Sequence, residues 1–204
     1  MKGGGPRTGL QCPSSRRSGV YVLEMAFEGL RRDLAVYARL KGAWFLRPGL
    51  WIAATYRVGA SARGIPSPPV KFAVLALHKL LVSPWRLLCG VHVPHNATIG
   101  PGLYLPHPRE IMLAPGSVFG AECSVYQDVV VGRGPVPGVP QFGDRVVIFP
   151  GVRVLGGIRV GDDAHIGPNT VVVRDVPART VVSAPASRII PKATAERTAT
   201  GGPK

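Results

Sequence analysis

Phe142, Ile148, Val154, Val160, Ile166 and Val172 are all apolar and stand six residues apart without interruption. A period of six fits neither an α-helix, whose faces recur at three and four residues, nor a strand, whose faces alternate. Four residues beyond each of these stands a second small or apolar column: Val146, Val152, Ile158, Ala164, Thr170 and Val176. This pattern predicts a parallel β-helix in which each hexad forms one flat side of a coil. One position per hexad points inward, and stacking the coils joins those positions into a continuous core.

The spacing of six also holds upstream, at Val93, Ile99 and Leu105. A shift of two residues falls within 106-PHPREIM-112. The register then resumes at Leu113, Phe119, Val125 and Val131, with Ser117, Cys123 and Val129 as the companion column. Cys123 therefore reads as a small core residue. A second break, 132-GRGPVPGVPQ-141, is rich in Gly and Pro and reads as an excursion from the coil. Interruptions of a repeat mark loops on one face, often the functional one.

The chain before the repeats is different in kind. Leu23, Phe27, Leu30, Leu34, Tyr37 and Leu40 predict a helix over 23–41, and 50-LWIAATYRVGASA-62 predicts a second. The linker 64-GIPSPP-69 seats Pro at the start of a third, which runs to about Cys89 with a bend near Pro84. The expected organisation is an extension over 1–20, a helical domain over 21–90, a β-helix over 91–190 and a disordered tail over 191–204. The fold class is a left-handed parallel β-helix preceded by a small α-helical domain. The handedness is taken from the repeat type, since left-handed winding departs from the usual crossover rule.

The net charge of +14 is uneven. Residues 21–90 hold ten Lys/Arg against three acids, whereas 91–190 hold eight against seven. No nucleic-acid recognition motif accompanies the basic residues and aromatics do not alternate with them, so nucleic acid is not an expected partner. A solvated helical face accounts for the excess, with contact to an anionic membrane surface as a lesser alternative. The three cysteines are far apart and show no disulfide pattern. The first twenty residues lack the apolar core of a secretory leader. The apolar run 70-VKFAVLALHKLLV-82 is interrupted by His78 and Lys79 and is short for a membrane span. It reads as a packed helix, His78 as a helix-face residue, and the chain as cytoplasmic.

From about Leu30 to Ile190 the chain resembles the serine acetyltransferase family, especially its shorter bacterial members. The resemblance is carried by 50-LWIAATYRVG-59, 98-TIGPGLYLPHP-108, 123-CSVYQDVVVG-132, 139-VPQFGD-144 and 183-SAPASRII-190. It implies a cytoplasmic homotrimer of cysteine biosynthesis that takes acetyl-CoA as co-substrate, in grooves between neighbouring β-helices, and acetylates a hydroxyl group. The family's catalytic base falls at His107. An alcohol needs a base to take its proton as it attacks a thioester, and imidazole titrates near working pH. The resemblance places Arg188 near the coenzyme's nucleotide end. It also places Gly132, Gly134, Pro150, Gly151 and Pro168 along the coenzyme groove.

The sequence departs from the family at the acceptor positions. His92 stands where the family pairs its base with an Asp, and an imidazole cannot stabilise an imidazolium as a carboxylate does. Pro106 replaces an acidic residue, Arg109-Glu110 replaces Gly-Gly, and Gly138-Val139 replaces an Arg-His pair. These departures leave two alternatives beside serine acetylation: transfer to a sugar or other biosynthetic hydroxyl, and a catalytically reduced trimeric scaffold. A zinc-dependent use of the same fold requires paired histidine ligands. No pair here has that spacing, so no metal is expected.

Overall fold

A computed structural model describes residues 19–185, with side chains from residue 27 onward. Arg188, the tail and all of the predicted extension except Gly19 and Val20 lie outside the described residues. Three helices, α1 (Gly19–Ala38), α2 (Pro48–Ser61) and α3 (Pro68–Cys89), precede twelve short strands. The strands form three parallel four-stranded sheets, each collecting one side of successive coils. This is a left-handed parallel β-helix with a helical cap at its N-terminal end.

The first face stacks His92, Met112, Val130, Arg153 and Val171 as outward residues, with Leu113, Val131, Val154 and Val172 inward. The second stacks Thr98, Val118, Gln141 and Arg159, and the third Tyr104, Ser124, Val147, His165 and Val181. The inward columns and their companions Cys123, Val129, Val146, Val152, Ile158 and Ala164 form one continuous buried core. Within it the Phe119 and Phe142 rings stack at 4.4 Å.

Pairing between coils shows where the repeat changes length. His92 pairs with Met112, twenty residues along, so the first coil carries the two extra residues of the 106–112 break. Val118 pairs with Gln141, so the 132–140 excursion adds five residues to a coil of eighteen. The last coil is short by two, since Val160 pairs with Val176. Val176 is therefore a primary core residue and not the companion-column residue that the hexad count predicts. The hexad count cannot detect this deletion because Val176 is apolar in either register.

The cap satisfies the backbone that a first coil leaves unpaired. Buried Arg57 donates to the carbonyls of Ile99 and Gly100, each at 2.7 Å. Asp33 accepts the N–H groups of Gly102 and Leu103, each at 2.8 Å. The Tyr56 hydroxyl donates to Ala97 O and accepts from Ile99 N, at 2.9 and 3.0 Å. The Tyr37 hydroxyl accepts from Leu105 N at 2.9 Å. An open sheet edge exposes N–H and C=O groups to further pairing, and here side chains of α1 and α2 occupy them. Asp33 and Tyr37 thus lie on the inward stripe of α1, while Phe27 and Leu34 of the predicted apolar stripe are exposed.

The third helix corrects a second expectation. It is not packed on all sides: of its 22 residues only His78 is buried, and Trp85 and Cys89 pack partly against the core. His78 is more than a face residue. Its Nδ1 lies 2.9 Å from the Thr55 carbonyl, which can only accept, so this nitrogen carries the proton. Gly59 makes the approach possible, since a Cβ there would lie 2.6 Å from His78 Nδ1.

Candidate active site

His107 sits on the two-residue insertion between the third face of coil 1 and the first face of coil 2. Its side chain is exposed, while Pro108 beside it is buried and holds the loop against the coil. The Arg109 N–H donates to the His107 carbonyl at 2.9 Å, and the Glu110 N–H to the Cys89 carbonyl at 2.8 Å. Glu110 has a φ of 52°, the left-handed conformation that closes this corner. The insertion leaves the core intact, because Leu105 and Ile111 on either side are buried.

His92 opens the first face and is half-buried, facing outward. Its N–H donates to the Ile111 carbonyl at 2.7 Å, so it lies over the exit of the His107 loop. Burial, and after it the Arg86 guanidinium, hold its imidazole below the usual histidine value, so it is neutral at pH 7. Among the described residues no hydrogen bond joins the rings of His92 and His107; the one histidine ring bonded within the chain is His78.

Backbone bonds stack one corner of the β-helix into a ladder. The Asp128 N–H donates to Arg109 O at 2.8 Å, Gly151 N–H to Gln127 O at 3.2 Å and Asn169 N–H to Pro150 O at 2.9 Å. The His107 loop, Pro150, Gly151 and Pro168 therefore share this corner. Gly151 has a φ of +74°, which the corner itself requires. Gly132 and Gly134 do not join them. They stand at the opposite edge of the first face, where the 132–140 loop folds down over the next coil. Gly132 O accepts the Gly156 N–H at 2.9 Å, and a Cβ on Gly134 would lie 2.7 Å from the Leu155 carbonyl carbon. The first face is thus bordered by an irregular loop on each side.

Gln127 is a polar corner residue that the hexad pattern does not single out. Its Oε1 is buried without a hydrogen-bond partner among the described residues, one layer below the His107 loop. An unpaired buried acceptor costs about 1–3 kcal/mol. The sequence signal is a polar residue at a corner whose equivalents in the next coils are Pro150 and Pro168. Among the described residues no cluster of three His, Cys, Asp or Glu could hold a metal ion. A concavity of about 470 Å³ lies at the open end of the last coil, lined by Val171, Val173 and Pro177 among others, away from His107.

The hexapeptide repeats and the parallel β-helix they build place the chain among the hexapeptide-repeat acyltransferases. The family model for the bacterial transferase hexapeptide (six repeats) matches residues 140–174. A serine acetyltransferase of Helicobacter pylori strain J99 is 34% identical over 175 residues, covering 82% of this chain and 98% of that protein. The serine acetyltransferase of Mycobacterium tuberculosis is 38% identical over 100 residues, covering 48% of this chain and 44% of the relative. The chain belongs to the serine acetyltransferase family. Among solved structures, Neisseria gonorrhoeae serine acetyltransferase in complex with serine superposes with a TM-score of 0.63 at 24% identity, over 83% of this chain and 69% of that one. An Entamoeba histolytica isoform in complex with cysteine gives 0.66 at 21%, over 89% and 68%. At these identities the two structures speak for the fold.

Proposed function

We propose that the chain transfers acetyl from acetyl-CoA to a hydroxyl of a small acceptor, with L-serine the first candidate and His107 the general base. The observation that carries this reading is the placement of His107: exposed, on an insertion that spares the core, and on the same corner as Pro150, Gly151 and Pro168. The imidazole takes the acceptor's O–H proton as the oxygen attacks the thioester carbonyl carbon. The C–S bond then breaks, and the imidazolium returns the proton to the departing thiolate, giving an acetyl ester and free coenzyme thiol. Such a base contributes on the order of 10²–10⁴-fold in rate. His92, neutral and over the exit of the loop, is proposed as a positioning residue. Gln127 Oε1 offers an acceptor to an N–H or O–H of the bound substrate.

The acting unit is proposed to be a cytoplasmic homotrimer. One corner cannot enclose a coenzyme, and a neighbouring β-helix would supply the second wall. Gly132 and Gly134 would then serve the groove from the far edge of the first face, and Arg188 would meet a phosphate of the coenzyme. A second reading, transfer to a sugar or related hydroxyl, is favoured by exposed Arg109 and Glu110, two charged side chains beside the base. Release of coenzyme thiol on mixing acetyl-CoA with L-serine and a panel of sugars separates the two. Thiol release with no acceptor beyond the rate in buffer alone would exclude both. Arg188→Ala is expected to raise KM for acetyl-CoA with little change in kcat.

A further inference from the structure

Helix α3 carries a broad apolar surface that none of the described residues covers. Its inward strip is Val74, His78, Val82, Trp85 and Cys89. The opposite side presents Phe72, Leu77, Leu80, Leu81, Leu87 and Leu88. Phe72 is 75% exposed, Leu80 71% and Leu87 85%. At 3.6 residues per turn these positions sweep roughly half the circumference, and no charged residue falls among them. A helix apolar all round is ordinarily buried on every side.

The charges on α3 itself are of one sign, and exposed Glu110, which meets the end of the helix, is the acidic residue beside it. No acidic residue occurs between Asp33 and Glu110, and that span holds nine Lys/Arg. Only Arg57 of the nine is buried against a carboxylate. Lys79 and Arg86 border the apolar arc on one side and are exposed. Lys71 falls in phase with the inward strip and Arg63 donates to the Ala97 carbonyl at 3.1 Å, so these two exposed cations stand on the side of the first coil.

We propose that α3 docks the protein onto an anionic phospholipid bilayer, lying in the plane of the interface with its Phe72–Leu88 side in the headgroup region. Apolar area supplies one part of such binding and attraction of Lys/Arg to anionic lipid the other. By length and composition α3 is also able to cross a membrane. Spanning would strip His78 from Thr55 and the helix end from Glu110, whereas lying flat keeps both contacts. A second copy on this face would bring two clusters of like charge together, which a bilayer of opposite charge does not. The helix ends where Cys89 O meets the Glu110 N–H, so docking holds the His107 loop near the headgroups. The proposal is independent of which hydroxyl is acetylated.

Co-sedimentation of the full chain with phosphatidylcholine vesicles, with and without phosphatidylglycerol, tests this at low and high salt. The protein is expected to pellet with the phosphatidylglycerol vesicles at low salt and to stay in solution with phosphatidylcholine alone. Leu80→Asp/Leu87→Asp should weaken binding roughly tenfold or more, with melting temperature and sedimentation mass unchanged. Lys79→Gln/Arg86→Gln should weaken it roughly tenfold as well, and this pair decides alone if the leucine variant does not fold. No pelleting with phosphatidylglycerol vesicles overturns the proposal. So does undiminished binding of both variants, which would assign it to the basic termini. A leucine variant of lower oligomeric mass would show a second copy on this face and overturn it too.

Discussion

The Asp33 carboxylate and the Arg57 guanidinium meet at 2.8 Å, with side-chain exposures of 0% and 7%. The pair joins α1 to α2, and each partner spends its remaining hydrogen-bonding capacity on the backbone of the first coil. The cap and the β-helix are thereby coupled through one buried ion pair.

Breaking that pair from one side leaves a buried charge unmatched. Asp33→Ala should cost about 3–5 kcal/mol, seen as a lower midpoint in urea unfolding. Arg57→Met combined with Asp33→Leu should cost less than the sum of the single changes. Additive losses in this double-mutant cycle would mean that the two residues act separately on the coil edge.

His107→Ala should lower acetyl transfer by about 10²-fold or more, because the residue lies outside the core. Sedimentation mass and melting temperature should be unchanged. His92→Asp places a carboxylate over the exit of the loop and should raise kcat. Full activity in His107→Ala would remove the base from this position.

The histidines of the first coil make stability depend on pH in one direction. His92 and His95 are both held below the usual value of 6.5, each chiefly by burial. The unfolded chain therefore binds protons first as pH falls through about 6.5, and stability declines from there until the folded-state values are passed. Their contribution is fully present above that range. Melting temperature followed from pH 8 to pH 5 should fall, and less steeply in His92→Gln/His95→Gln.

Cys123 should resist alkylation. Burial pushes its thiol up to about 11, and its S–H donates to the Gly143 carbonyl at 3.3 Å. The thiolate is the reactive form, so iodoacetamide at pH 8 should label Cys123 only after denaturation. Peptide mass mapping of labelled native protein reads this directly; rapid native labelling would show that the coil opens locally.

Gly59→Ala should destabilise by about 1–3 kcal/mol, since the added methyl meets the His78 ring at 2.6 Å. Gly59→Ala combined with His78→Ala should recover part of the loss, in thermal or urea unfolding.

The regular coils were legible in the sequence because a β-helix asks for one inward apolar residue per side. A strict spacing of six is absent from helices and ordinary strands, so the run from Phe142 to Val172 could mean little else. The break at 106–112 was legible for the same reason, and with it the exposure of His107. The helices were legible in position but not in orientation. Nothing in the apolar stripe singles out Asp33, which Arg57 and two backbone N–H groups surround only in the fold. His78 reads as a face residue until Gly59 opens the space it fills.

Sequence alone determined the repeat, its two insertions and the residue carried on the first of them, because hexad spacing is a local property of the chain. Only the tertiary structure decided which coil positions share a corner. That depends on hydrogen bonds between coils of sixteen to twenty-three residues, whose lengths accumulate along the stack. The stack put Pro150, Gly151 and Pro168 beside the His107 loop and sent Gly132 and Gly134 to the opposite edge. It also moved Val176 into the primary core column and left one side of α3 uncovered by the described residues, since the cap meets a single coil edge and has room there for one strip of that helix.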